Sequence, residues 1–338
     1  MKRFTLLLAF FLPAIFLYGQ QINIVESGKS TSLRGLSILN NQVAWVSGSN
    51  GWVASTTDGA KTWHWQQLKG YENIDFRDIE VLSEKQAVIV SAGSPAVILK
   101  TGDGGLTWRE TYRNNDPEIF LDGMDFYNAR QGIIFGDPIT SKMQLLTTDD
   151  AGDSWKNCTD NLKIKLEDGE AGFAASGTSI RTMKNGKTWI ATGGKQSRVF
   201  ISDNFGKNWK AYNCPIIHGA NSTGPFSIAF YDIKTGYVVG GDYRKDTVRT
   251  KNSFITYDGG LSWNQPAENT FGYRSAVEYL SKSVLICTGT SGTDISSTGG
   301  KTWKNISKTG FNCVRKAKSG NLVLLAGGVG TIARLLNF

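Results

Sequence analysis

The chain has 338 residues, with 39 glycines, 7 prolines, 10 tryptophans and only two histidines, His64 and His218. So few histidines exclude a three-histidine metal centre, and so few prolines exclude a collagen-like or proline-rich disordered chain. The net charge is +8, but the basic residues are dispersed among acidic ones, which argues against nucleic acid as a partner.

Lys2 and Arg3 precede an apolar stretch, residues 4–17, and Gly19 and Gln20 follow it. That is the build of a secretory signal peptide, so residues 1–19 are expected to be removed. Residues 20–338 are expected to form one exported domain, periplasmic or extracellular, monomeric, and not membrane-spanning. No cysteine precedes Cys158 to carry a lipid at the cleavage point. The four cysteines have no C-x-x-C spacing, and the apolar settings of Cys287 and Cys313 favour buried thiols over a bridge.

Residues 22–26 read as a lone strand. The first full unit follows, with strands at 33–39, 43–47 and 52–56, a turn ending at Trp63, and a further strand. The second unit repeats the order at 76–82, 87–91 and 97–101. The turn recurs as TTDGAKTW, TGDGGLTW, TDDAGDSW, SDNFGKNW, TYDGGLSW and SSTGGKTW, ending at Trp63, Trp108, Trp155, Trp209, Trp263 and Trp303. Successive tryptophans are 45, 47, 54, 54 and 40 residues apart. A period in the forties with several short strands per unit is that of a propeller.

The chemistry of this Asp box is that of a hairpin turn. Asp58, Asp103, Asp150, Asp203 and Asp258 are expected to accept N–H bonds from their own turns. Three before the tryptophan, Gly105, Gly152, Gly206, Gly260 and Gly300 supply a positive φ, and the tryptophan fills space between sheets. The fourth box is expected to carry one extra residue, and the sixth has Thr298 where aspartate would stand. After Trp303 come strands at 313–317, 322–326 and 331–336 without another box. Residues 22–26 can supply the missing fourth strand. The expected fold is therefore all-β: a seven-bladed propeller of four-stranded antiparallel blades, closed by the N-terminal strand.

These boxes, glycine-rich links such as SGSNG and SAGSP, and the segments EAGFAASGTSI, GGDYRKD and YRSAVEYL resemble the photosystem II stability/assembly factor family. More narrowly, they resemble an exported bacterial branch of it often labelled "oxidoreductase". The resemblance implies the fold and a general scaffold role, and does not extend to photosynthesis itself.

Enzyme readings fare less well. The one dinucleotide-like stretch, LAGGVGTIA, lacks the crossover helix that must follow it and reads better as the second turn of blade seven. No cofactor and no metal are expected. A sialidase would need an arginine triad with a Tyr–Glu pair; its N-terminal signature is absent, and FRDI at 76–79 is only an echo.

In a propeller, the boxes share one face with the links between strands one and two. The other face carries the links between strands two and three and between blades. The length variation lies there: 17 residues separate Gly241 from Asp258, against 10 between Gly48 and Asp58. Innermost strands begin on that face, placing Arg34, Arg77, Asp122, Ser176 and Arg274 around the channel mouth. Asp137, Glu170, Arg198, Asp242 and Tyr243 are the nearby loop candidates. Converging arginines with a few carboxylates suit a protein partner or an anionic or glycan ligand. The function expected is a non-catalytic binding or assembly scaffold, with a glycan-binding or glycan-cleaving protein as the alternative.

Overall fold

The computed structural model describes residues 20–338, so the expected signal peptide lies outside the described residues. Those residues form seven antiparallel blades in a ring, with only two short 3₁₀ turns as helix. Blade one is built from Leu33–Ile38, Ala44–Gly48, Trp52–Thr56 and His64–Gln67. Its three inner strands are largely buried and its outer strand is largely exposed, which explains why the apolar runs fade before each fourth strand.

Blade seven comprises Cys313–Lys316, Val323–Ala326, Ile332–Leu336 and, as its outer strand, Gln21–Glu26. The register runs from Gln21 opposite Leu336 to Glu26 opposite Ile332. The N-terminal strand thus closes the ring and leaves no inner edge open. The glycines of LAGGVGTIA form the 3₁₀ turn Gly328–Gly330 that joins the second and third strands of this blade.

Two blades depart from the pattern. Blade four has a five-stranded sheet, because the two-residue strand Glu170–Ala171 pairs with its second strand beside the inner one. Blade five has three strands, and its outer strand shrinks to one bridge between Ile255 and Asn264. Pro266 lies two residues beyond that bridge, where it has no N–H for a ladder.

The recurrent turns are built as their chemistry requires. Asp58 accepts the N–H groups of Lys61 and Thr62 at 3.0 Å and the Thr62 hydroxyl at 2.6 Å. In blade four the expected acceptor, Asp203, is not the one used. Asn204 Oδ1 accepts the Asn208 N–H at 2.9 Å, while Asp203 leaves the turn and pairs with Lys187 at 2.6 Å. Asn204, not Asp203, stands five residues before the tryptophan, so this turn has no extra residue. Thr298 fills the same role in blade six, its hydroxyl accepting the Thr302 N–H at 2.9 Å. Gly105, Gly152, Gly206, Gly260 and Gly300 hold φ between 73° and 91°.

Each turn docks on the preceding blade. Trp108 meets Trp45 edge-on at 5.9 Å, and Trp303 donates a 2.8 Å hydrogen bond to the Tyr237 hydroxyl. The apolar clusters accordingly lie between blades; one joins Trp45 and Val53 of blade one to Phe76, Ile79 and Ile89 of blade two. All four cysteines are unpaired, and Cys214, Cys287 and Cys313 are buried. No described helix is long and apolar enough to cross a membrane.

Candidate functional site

A bulge recurs at the start of the innermost strand in blades one, two, three and five. The register skips one residue between Leu33 and Gly35, Phe76 and Asp78, Leu121 and Gly123, and Pro225 and Ser227. The skipped residues are Arg34, Arg77, Asp122 and Phe226. A bulge leaves its extra residue out of the ladder and re-aims its side chain, so one backbone device sets four side chains at the same level of the ring.

The segment Phe173–Gly177, just before the inner strand of blade four, crosses the channel. Arg34 of blade one donates to the Ala175 carbonyl at 3.0 Å, and Ser176 Oγ donates to the Ser275 carbonyl of blade six at 2.7 Å. Arg77 reaches the Ala174 carbonyl at 3.5 Å, and Arg315 of blade seven reaches that of Gly177 at 3.4 Å. Gly177 has φ +66°, and a Cβ there would lie 2.3 Å from the buried Asp78 carboxyl. Only glycine lets the segment pass so close. The channel is therefore stoppered.

Above the stopper is a mouth cavity of about 340 Å³ lined by Arg34, Arg77, Phe173, Phe226, Tyr243 and Tyr273, among others. Phe173 and Phe226 stack with centroids 3.8 Å apart, and Tyr273 stands edge-on to Phe226 at 4.8 Å. Burial, and then the neighbouring Arg77 charge, lowers the Arg34 pKa. Arg77 is partly balanced by Asp75 at 2.7 Å. Two guanidiniums beside an aromatic wall suit a carboxylate or carbonyl next to an apolar group.

The structure gathers Arg34, Arg77 and Tyr243 at this mouth and disperses the other expected residues. Arg274 is fully buried and paired with Asp294 at 2.8 Å, because its side chain turns into blade six; it does not ring the mouth. Glu170 is buried too, held by Arg198 at 2.5 Å and by Thr192, so both serve the extra strand of blade four. Ser176 is part of the stopper. Asp242 ends a strand and accepts the Arg244 N–H at 3.0 Å. Asp122 is 1% exposed and lies against Asp137, which takes the Gly172 N–H at 2.8 Å. Burial, and then the Asp137 charge, pushes Asp122 well above the carboxylate range.

Phe173 and Phe226 went unread in the sequence. Their only signal is positional: Phe226 stands where Arg34 and Arg77 stand in their own units.

At the other end of the channel, on the face of the recurrent turns, lies a larger basin of about 720 Å³. There Arg181 of blade four donates to the Ile228 carbonyl of blade five at 3.2 Å and meets Glu278 of blade six at 2.6 Å, and Lys318 pairs with Glu80. Burial, and then the Glu80 charge, raises the Asp125 pKa to about 6. This network ties the innermost strands to one another across the axis.

Residues 20–117 match the family described as photosynthesis system II assembly factor YCF48. The photosystem II assembly lipoprotein Ycf48 of Synechococcus sp. (strain CC9902) is 23% identical over 247 residues, covering 64% of this chain and 69% of that protein. Among solved structures, YCF48 bound to D1 peptide superposes with a TM-score of 0.68 at 15% identity, covering 96% of this chain and 97% of that one. YCF48 from Cyanidioschyzon merolae gives 0.67 at 16% identity, over 93% of this chain and 98% of that one. The GH74 xyloglucanase of Xanthomonas campestris gives 0.60 at 15% identity, over 93% of this chain but 53% of the enzyme. At these identities the solved structures bear on the fold alone. This chain is a seven-bladed propeller that resembles the YCF48 family of photosystem II assembly factors.

Proposed function

We propose that the chain is a binding propeller that holds a segment of a protein partner at the channel mouth, on the face opposite the recurrent turns, without catalysing a reaction. The observation that carries this reading is the mouth cavity, with Arg34 and Arg77 beside the aromatic wall of Phe173, Phe226, Tyr243 and Tyr273. An extended peptide offers both carboxylate or carbonyl oxygens and apolar side chains, which such a cavity can take together. The long loops of blades three to five flank it, where binding residues usually sit on a rigid scaffold. The matches to the YCF48 family and to a photosystem II assembly lipoprotein support a protein partner over a glycan. Export also belongs to this reading; the relative described as a lipoprotein supports it.

A photo-cross-linking side chain placed at Tyr243 in the protein's own cells tests the proposal. It should capture a protein partner, and Arg77→Glu should abolish capture. Lys61, on the turn of blade one, should capture nothing. Capture from Lys61 and not from Tyr243 would place the working face on the other side.

A further inference from the structure

Ten large apolar side chains are exposed among the described residues, and four of them crowd one corner of blade five. Tyr231 and Ile233 project from the link between its first two strands; Tyr257 and Leu261 project from its recurrent turn. They are 46%, 49%, 51% and 50% exposed. The two loops are joined, since the Gly259 N–H donates to the Lys234 carbonyl at 2.8 Å. Tyr231 also meets the Tyr279 ring of blade six at 5.9 Å. No other blade does this. The residues that match Tyr231 in the other blades, Leu39, Leu82, Tyr127, Met183, Leu280 and Ala317, are turned inward, and the links beyond them read NNQ, SEKQ, NARQ, KNGK, SKS and KSGN.

The surround is basic. Lys207, Lys234, Lys282 and Lys301 are exposed on the same face, and none makes an ion pair among the described residues. Of the nearby carboxylates, Glu268 is exposed, its N–H donating to the Lys301 carbonyl at 3.0 Å, and the other two are bound within their own loops, so the four lysines still outnumber them. Asp258 accepts the Ser262 N–H and hydroxyl, and Asp232 accepts the N–H groups of Lys234 and Thr235. The chain also enters the fold on this face, because Gln21 pairs with Leu336 at the end where third strands finish.

We propose that this corner of blade five is a membrane-surface site: the apolar tips enter the headgroup boundary of an anionic bilayer, and the lysines bind its phosphates. Tyrosines at loop tips favour that boundary, having an apolar ring and a polar end. Lysines beside them add an electrostatic attraction to anionic lipid. The side chains stand on protruding turns instead of lining a groove, which fits a soft planar surface better than a folded protein. Docked this way, the propeller would turn its mouth cavity away from the bilayer. The inference does not depend on the proposed function.

Sedimentation of the full chain with phosphatidylcholine vesicles, with and without phosphatidylglycerol, tests it. Binding should strengthen with the anionic lipid. Lys234→Glu, Lys282→Glu and Lys301→Glu together should weaken it on the order of a hundredfold. Tyr231→Ser with Ile233→Ser, Tyr257→Ser and Leu261→Ser should weaken it at least about tenfold. Hydrogen exchange of the bound wild-type protein should slow at residues 231–235 and 257–262. Equal binding by the variants, or protection elsewhere only, would overturn the proposal. So would self-association that the same variants abolish in the absence of any vesicle binding, which would assign the patch to a second copy of the chain.

Discussion

Arg34 and Ala175 stand 141 residues apart in sequence, yet the guanidinium of one holds the carbonyl of the other at 3.0 Å across the mouth of the channel. Through this bond the stopper and the bulged residues form one unit: Arg34 lines the mouth cavity and also anchors its floor. A ligand that drew on Arg34 would compete with, or share, that anchor.

Gly177 is the stopper's tightest point. Gly177→Ala combines a positive φ with a Cβ that would lie 2.3 Å from Asp78, so it should cost about 2–4 kcal/mol. Ala175→Gly removes only a methyl and should cost about 1 kcal/mol. Thermal melts of both variants, compared with wild type, check the difference. Equal melts would mean that the segment yields freely.

The two arginines once grouped at the mouth should part company. Arg274→Glu sets a carboxylate against buried Asp294, where neither partner of the pair is exposed. Breaking a buried pair costs about 3–5 kcal/mol, and folded protein should be lost. Arg77 is partly exposed, and Arg77→Glu should leave the melting temperature within a few degrees while removing partner capture. A soluble, well-folded Arg274→Glu variant would contradict the burial argument.

In blade four, Asn204→Ala should cost about 1–2 kcal/mol through lost turn bonds, and Asp203→Ala much less. Urea unfolding of the two variants separates them. The reverse order would restore Asp203 to the turn.

Acid should weaken the turns. Hydrogen bonds from the Thr107 side chain and backbone hold Asp103 at about 2, below its ordinary 3.8. Asp150 is likewise held at about 2. A carboxylate with a lowered folded pKa stabilises above its unfolded value, and that stability is lost as the pH falls through the folded value. Melting temperature should therefore drop between pH 3.8 and about 2, and Asp103→Asn should flatten this limb. A variant with an unchanged acid limb would remove Asp103 from the account.

The tryptophans are unequal. Trp303 is 4% exposed and hydrogen-bonded to Tyr237, so Trp303→Ala should cost about 3–5 kcal/mol. Trp108 is only partly buried against Trp45, so its removal should cost less. Denaturant titration of both variants orders them.

What could be read from the sequence was local or periodic. The turn chemistry of Asp58 to Trp63 lies within eight residues and repeats, so blades, faces and ring closure followed from it. Asp203 misled because it sits beside the residue that matters, and an amide accepts the same bonds. Arg34 and Arg77 were legible as starts of inner strands, but Arg274 was not separable from them. Its direction depends on whether a bulge precedes it, and Asp294 draws it inward from 20 residues away. The stopper left no local trace. Its backbone is held by blades one, two and seven and its Ser176 hydroxyl by blade six, and no window around Phe173 contains those partners.

The pairing of Gln21–Glu26 with Ile332–Leu336 also sets a timetable. The first described strand is made before the other six blades and housed after them, since its partner is the last described strand. Six blades can assemble while those residues wait, and the ring stays an open arc until the far end arrives. A stop anywhere before residue 332 would therefore strand both ends at once. The cell's proteases would meet such a chain as two loose ends on one arc, not as a smaller propeller.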